Sequence, residues 1–378
     1  VFFIDMKDNS ECVACTGQLL RIDKFKDFSC VSSDCRPLDT RSDLRICSLC
    51  CLIQRPRSFS WTTRCQEIYV TYDAYPQGSE LDQKTLERKS GLLRSRSAVI
   101  LDQFKKRLHP SQSGTWLDYG CGQGHLLSEC ARRYPNLVLI GVDESQKSRE
   151  YIEHIKNATF ISNIEDCDQR LDIVSMVHVL EHLESPVKIL SKLKEKMKED
   201  ALLLIQIPTF VRNPFDLIIF DHGMFFTKKT ISALLETAGF RVCTFARAVS
   251  QKEITVVARK STARLNRRSV TSRDVKLTEA KLREGANYLS GLRDHAQLKA
   301  SGGKVQIFGS SIGACWLFNE LGTNNVACFL DEDSERVGNI FLGKEIRPFA
   351  QKNIDRTVFP LDPETKDQVI RRLQATKI

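Results

Sequence analysis

Nine residues, Trp116-Leu-Asp-Tyr-Gly-Cys-Gly-Gln-Gly124, constrain the fold of this chain more than any others. An apolar run ends in Asp118, and Gly120, Gly122 and Gly124 then alternate before a helix begins near His125. Glycines at that spacing let the backbone turn tightly and approach a ligand closely. Dinucleotide enzymes use a related loop, so the glycines alone are a weak signal. The Asp118 carboxylate, two residues before the first glycine, suits a cationic amino group and would repel a pyrophosphate. Nineteen residues beyond Gly124 a second apolar run ends in Asp143, where a carboxylate can accept both ribose hydroxyls of an adenosine. The competing reading is an ordinary strand, turn and helix.

Around this turn, residues 85–258 alternate apolar strands with amphipathic helices, which predicts an α/β fold with a mostly parallel sheet. Seven strands are expected: Thr115–Tyr119, Leu137–Val142, Thr159–Ser162, Leu171–Val177, Leu202–Ile207, Arg241–Ala246 and Glu253–Ala258. Residues 1–70 are cysteine-rich, with short strand-like pieces and little helical periodicity. A linker with a helix over Leu277–Leu298 occupies 259–301, and residues 302–378 begin a second strand–helix–strand unit. The formal charge of +9 raises the question of nucleic acid. Much of the excess interleaves with acids on helices, as in Lys-Leu-Lys-Glu-Lys-Met-Lys at 192–198, and reads as a solvated face. The denser group Arg259, Lys260, Arg264, Arg267 and Arg268 reads as a solvated linker, with RNA or an acidic partner as the alternative. No apolar run reaches the ~18 residues of a membrane span. The first residues lack the basic and apolar parts of a secretory signal, so the expected location is cytoplasmic. An organelle matrix is the alternative if a targeting segment was removed.

Eight of the fourteen cysteines lie within the first 65 residues. Cys12-x-x-Cys15 and Cys47-x-x-Cys50 are two thiolate pairs separated by 31 residues. Each pair puts two sulfurs on one tight turn, and two such turns complete a tetrahedral zinc site. Cys30 and Cys35 form a looser pair that could replace one turn or build a second site with Cys51 or Cys65. A redox role is less expected, because neither CxxC opens a helix after a strand. The remaining six read as small buried hydrophobes.

The Trp116–Gly124 stretch resembles motif I of class I S-adenosylmethionine methyltransferases. Ile140-Gly-Val-Asp143 is similar to that family's second motif, and Phe160-Ile-Ser-Asn163 falls where the family contacts adenine. Asp172 to Leu183 resembles its fourth-strand motif, whose segment around His178 faces the cofactor; His182 carries a weaker expectation. The order of parts also resembles the sugar C-methyltransferases of deoxysugar biosynthesis, which join a zinc module, a methyltransferase domain and a small Rossmann-like domain. That resemblance implies bound zinc and S-adenosylmethionine, and a keto sugar linked to a nucleotide as substrate. Arg45-Ile-Cys-Ser-Leu-Cys50 looks like the family's second zinc turn. Tyr69, Tyr72 and Tyr75 resemble the aromatic mouth of its active site, which puts Tyr75 among the catalytic residues. Phe220-Asp-His-Gly-Met-Phe-Phe-Thr227 is similar to its acidic-His segment, which implies His222 as general base beside Asp221. An imidazole near pKa 6.5 suits removal of a carbon-bound proton at neutral pH. Asp221 would orient the imidazole or cap the following helix. Two features depart from the family pattern: the tyrosine spacing, and Phe220 where a hydroxyl-bearing aromatic is expected. The C-terminal Gly302–Gly313 stretch resembles a second nucleotide-type turn, with Asp331 at the position of a ribose acid. Two other readings remain open, an RNA or protein methyltransferase and a scaffold or assembly factor in a larger complex.

Overall fold

The structure, a computed structural model, describes residues 11–72, 84–86, 93–104, 111–246, 252–261 and 271–375. The N-terminal segment supplies β1 (Leu19–Ile22), β2 (Ser29–Val31), β3 (Pro37–Arg41), β4 (Leu44–Cys47), β5 (Ile53–Gln54) and α1 (Phe59–Val70). The expectation of little helix here fails at α1, which Ser58 caps by accepting from the Trp61 amide. Only Trp61, Cys65 and Ile68 turn inward from it, too few apolar positions to stand out in the sequence.

The chain continues through α2 (Arg96–Phe104), β6 (Gly114–Tyr119), α3 (His125–Arg133), β7 (Leu137–Val142), α4 (Lys147–Glu153), β8 (Ala158–Ile161) and β9 (Leu171–Val177). Then come α5 (Pro186–Lys196), β10 (Met197–Pro208), β11 (Met224–Phe225), α6 (Lys228–Thr237), β12 (Phe240–Phe245) and β13 (Glu253–Lys260). Seven of these strands form one sheet in the order β8-β7-β6-β9-β10-β13-β12. The first five run parallel, and β13 inserts antiparallel between β10 and β12. Both faces are covered, so the strands read as near-continuous apolar runs. Successive residues serve opposite cores: Leu117, Ile140 and Val174 on one face, Trp116, Leu139 and Ile173 on the other. Strand order reverses between β6 and β9, and the carboxyl ends of those strands open the crevice where such sheets bind ligands.

Helix α7 (Ser272–Ser301) is longer than the sequence suggested, because a capping box of Thr271 and Asp274 starts it early. The last region contains β14 (Val305–Phe308), α8 (Ile312–Leu321), β15 (Val326–Asp331), β16 (Ile340–Phe341), β17 (Lys344–Pro348), β18 (Thr357–Val358) and α9 (Pro363–Ala375). Its sheet runs β16-β17-β15-β14-β18, with β14-α8-β15 a parallel crossover.

The N-terminal segment is shared between two cores. Cys12, Cys15, Cys47, Cys50 and Leu52 join the core of the central sheet. Phe25, Phe28, Val31 and Ile53 pack with Leu289 of α7 and with Trp316 and Phe329 of the last region. Its strands also recruit a piece of the central domain: the sheet order is β1-β4-β5-β11, with Met224 opposite Gln54.

Candidate functional site

The glycine loop leaves the end of β6 and lies over the end of β7. The amides of Gly120 and Cys121 both donate to the Val142 carbonyl, at 2.7 and 3.0 Å. A Cβ at Gly120 would meet Val179 at 2.3 Å, so that glycine is required for packing against the segment after β9. Gly122 differs. Its φ is 49°, which favours glycine, and a Cβ there would meet nothing within 4 Å. Its amide donates to Asp143 Oδ2 at 2.8 Å, and the Ser145 amide to Oδ1 at 2.9 Å. Asp143 therefore stands at the tip of β7 beside the open side of the loop. Asn163 is exposed on the same sheet edge, at the end of β8, with its side chain accepting from the Glu165 amide.

Asp118 lies deeper than its expected role suggests, at 3% exposure. Its Oδ1 accepts from Ser175 Oγ at 2.6 Å, and Ser175 in turn accepts from Trp116 Nε1 at 2.8 Å. Burial, aided by the neighbouring Asp143 charge, raises its carboxyl to about 7. His178 is half-buried with φ 54°. Its Nε2 stands 3.1 Å from Glu253 Oε1 and its Nδ1 3.3 Å from Glu181 Oε1. Burial opposes its charge, yet these two carboxylates raise its pKa. Both ring nitrogens are thus engaged by protein.

The segment after β9 also reaches the loop that carries His222. The Gly223 amide donates to the Glu181 carbonyl at 2.8 Å. The His182 and His222 rings meet edge to face, with centroids 4.8 Å apart. His222 Nδ1 lies 2.7 Å from Asp216 Oδ1, and both side chains are buried. Burial lowers the basicity of an imidazole, but Asp216 outweighs it and His222 is raised. The carboxylate that orients His222 is therefore Asp216 and not Asp221. Asp216 comes from the short 3-10 turn Pro214–Ile218, which folds back beneath the loop.

Asp221 has other partners. Its carboxylate accepts from the Ser33 amide at 2.8 Å and from Ser33 Oγ, and lies 3.5 Å from His182 Nδ1. Nor does it cap the following helix, since Thr227 and Thr230 form that capping box. His182 Nδ1 stands 3.1 Å from the Asp221 carbonyl and 3.0 Å from Tyr69 Oη. Tyr72 Oη is 3.2 Å from Ser33 Oγ, so two of the three tyrosines line this site. Tyr75 lies outside the described residues. The sequence reading missed Glu181, Asp216 and Ser33, and underweighted His182. The adjacent Glu181-His182 pair was the available signal.

The four predicted zinc ligands are together. Cys12 and Cys50 sulfurs are 3.6 Å apart, and those of Cys15 and Cys47 3.4 Å, all buried. Zinc–sulfur bonds of about 2.3 Å in a tetrahedron need sulfurs roughly 3.8 Å apart, so the set fits. Amides of Ala14, Leu49 and Cys50 point at these sulfurs, at 3.3–3.4 Å. Among the described residues no second thiolate group forms: Cys30 and Cys65 join a small apolar cluster and Cys51 another core. In the last region the Asp331 carboxylate is occupied by Ser310 Oγ and the amides of Glu332 and Asp333, at 2.8–3.1 Å.

Residues 92–244 match the family described as Methyltransferase domain. The chain is 31% identical over 111 residues to (S)-tetrahydroprotoberberine N-methyltransferase of Eschscholzia californica, covering 27% of this chain and 32% of that one. It is 28% identical over 117 residues to (S)-coclaurine N-methyltransferase of Thalictrum flavum subsp. glaucum, covering 29% and 32%. Similar solved structures include the mitomycin 7-O-methyltransferase MmcR, at 22% identity and TM-score 0.39, covering 46% of this chain and 56% of that one. Human N-acetylserotonin methyltransferase in complex with S-adenosylmethionine matches at 19% identity and TM-score 0.38, covering 44% and 52%. The chain spans about a third of the length of the curated relatives it matches. Residues 92–244 form a class I S-adenosylmethionine-dependent methyltransferase domain.

Proposed function

We propose that this chain methylates a small molecule with S-adenosylmethionine, at the carbon next to the keto group of a nucleotide-linked sugar, with His222 as the proton acceptor. The observation that carries this reading is continuity. One segment, His178–Leu183, packs Val179 on the glycine loop and sets His182 against His222. The same short stretch thereby links the cofactor loop to an oriented imidazole. The names of the curated relatives, which act on alkaloids, support a small acceptor.

Asp143 would hold the ribose, Gly122 would admit the chain close to the ligand, and Asp118 would face the amino end. Bound there, S-adenosylmethionine supplies a methyl group activated by its sulfonium. The protein's own part is the proton. With Asp216 accepting from Nδ1, the lone pair of His222 resides on Nε2, which takes the proton from the acceptor carbon. Asp216 then stabilises the imidazolium. Zinc, held by Cys12, Cys15, Cys47 and Cys50, would be structural and would brace β5, on which β11 and the His222 loop depend.

The test separates proton removal from methyl transfer. The full chain, incubated with a nucleotide-linked keto sugar and S-adenosylhomocysteine in deuterium oxide, should exchange the proton beside the keto group. His222→Asn should lose that exchange. A wild-type protein that binds the sugar without exchanging would remove carbon acidity from the mechanism, and product analysis would then identify a nitrogen or oxygen acceptor.

A further inference from the structure

Glu181, His182 and His222 each offer a ligand atom, and these atoms lie within 4.8 Å of one another. We infer that they form a second metal site, distinct from the four cysteines, for a borderline divalent cation such as Zn2+. Two imidazoles and a carboxylate are a donor set suited to such ions.

Three independent features point to a cation rather than to a closed polar network. The Glu181 side chain is fully buried; Oε2 has no hydrogen-bond partner among the described residues, and Oε1 has only the 3.3 Å contact with His178 Nδ1. An ionised carboxylate left so is costly unless something positive meets it. His178 approaches from one side as an ion pair, and its other nitrogen belongs to Glu253. Second, each imidazole is tethered through Nδ1: His222 by Asp216 at 2.7 Å, His182 by the Asp221 carbonyl at 3.1 Å. The Asp221 carbonyl only accepts, and the Asp221 carboxylate 3.5 Å away favours the same tautomer: the proton on Nδ1 of His182, with Tyr69 Oη accepting as well at 3.0 Å, and the lone pair on Nε2. Metal-binding histidines are held in this way, their second nitrogen donating to a carboxylate or backbone carbonyl. Third, the two rings already touch edge to face, with centroids 4.8 Å apart.

Bonds of about 2.0–2.1 Å place tetrahedral ligand atoms roughly 3.3 Å apart, so the set must close by about 1.5 Å at most, within the reach of side-chain rotation. One carboxylate and two neutral imidazoles leave the bound ion with a net charge of +1. The metal site stands on this geometry. Its effect on turnover rests on the reading of His222 as proton acceptor, because a cation on Nε2 takes the lone pair that proton removal needs.

The test uses the full chain, stripped and reloaded with Co2+ as an optical probe, and with Zn2+ for stoichiometry by elemental analysis. The wild type should bind two equivalents. One should give the intense near-ultraviolet band of thiolate ligation, the other weak visible bands without it. Glu181→Gln and, separately, His182→Gln should bind only the thiolate equivalent. One equivalent at saturation in the wild type, or two in both variants, overturns the site. If the second equivalent binds and lowers methyl transfer by roughly ten-fold or more, reversibly with a mild chelator, both readings stand. If it binds and turnover is unchanged, the site stands and His222 is not the proton acceptor.

Discussion

Asp216 Oδ1 sits 2.7 Å from His222 Nδ1, six residues along the chain, and the pair is buried beneath the loop that carries it. Asp221, the carboxylate adjacent in sequence, instead binds Ser33 from the N-terminal segment. A buried carboxylate on one imidazole nitrogen fixes which nitrogen carries the lone pair, and that decides whether the ring can accept a proton from a substrate.

Asp216→Asn should accordingly lower kcat by roughly 10²–10⁴-fold, as His222→Asn should, while leaving KM and cofactor affinity nearly unchanged. Asp221→Asn should have a smaller effect on kcat. Steady-state kinetics with calorimetric titration of S-adenosylhomocysteine would check this. Equal losses in both Asp variants would contradict the assignment of Asp216 as the orienting group.

If Asp143 holds the ribose as proposed, removing its carboxylate should weaken the cofactor. Asp143→Ala removes acceptors for the ligand and for the amides of Gly122 and Ser145. Each lost charged hydrogen bond costs about 1.5–3 kcal/mol, or roughly 10–150-fold in affinity. Unchanged calorimetric affinity for S-adenosylhomocysteine would take Asp143 out of the site.

The pH dependence of cofactor binding should report on Asp118. Its carboxyl is raised to about 7 in the free protein, so below that pH it is mostly neutral. A cationic amino group favours the ionised form. Affinity should therefore climb as pH rises through 7 and level off above it, with proton release on binding near neutrality. Asp118→Asn should flatten the profile. A pH-independent wild type would mean that the buried carboxylate does not meet the ligand.

Loss of the cysteine site should be felt at a distance. Cys15→Ser should abolish binding of the thiolate-ligated zinc and disorder β4 and β5. Since β11 pairs with β5, methyl transfer should fail as well, while the central sheet still binds S-adenosylhomocysteine. Elemental analysis with parallel binding and activity measurements would show it; full activity without metal would refute the bracing role.

The strands of the central sheet were legible because each is an apolar run punctuated by glycine or acid, a local pattern. The cysteine pairs were legible for the same reason, since two residues of spacing define a turn. Asp216 was not legible. Nothing near it marks function, and its contact with His222 depends on how the Pro214–Ile218 turn folds under the loop. Ser33 was equally hidden, because 188 residues separate it from Asp221. Glu181 sat inside a recognised motif, but its burial among three histidines appears only when the elements are assembled.

The pairing of β5 with β11 constrains the order of events during synthesis. Gln54 leaves the ribosome 170 residues before its partner Met224. At ~5–20 residues per second, that is a delay of roughly 10–30 s. During this interval β5 is an open strand edge, and Phe25, Phe28 and Ile53 still await the apolar surface of α7 and α8. Unpaired edges beside exposed aromatics invite wrong partners. The segment that carries β5 is thus made well before it can be finished, and a nascent chain halted before Met224 has no native strand to cover that edge.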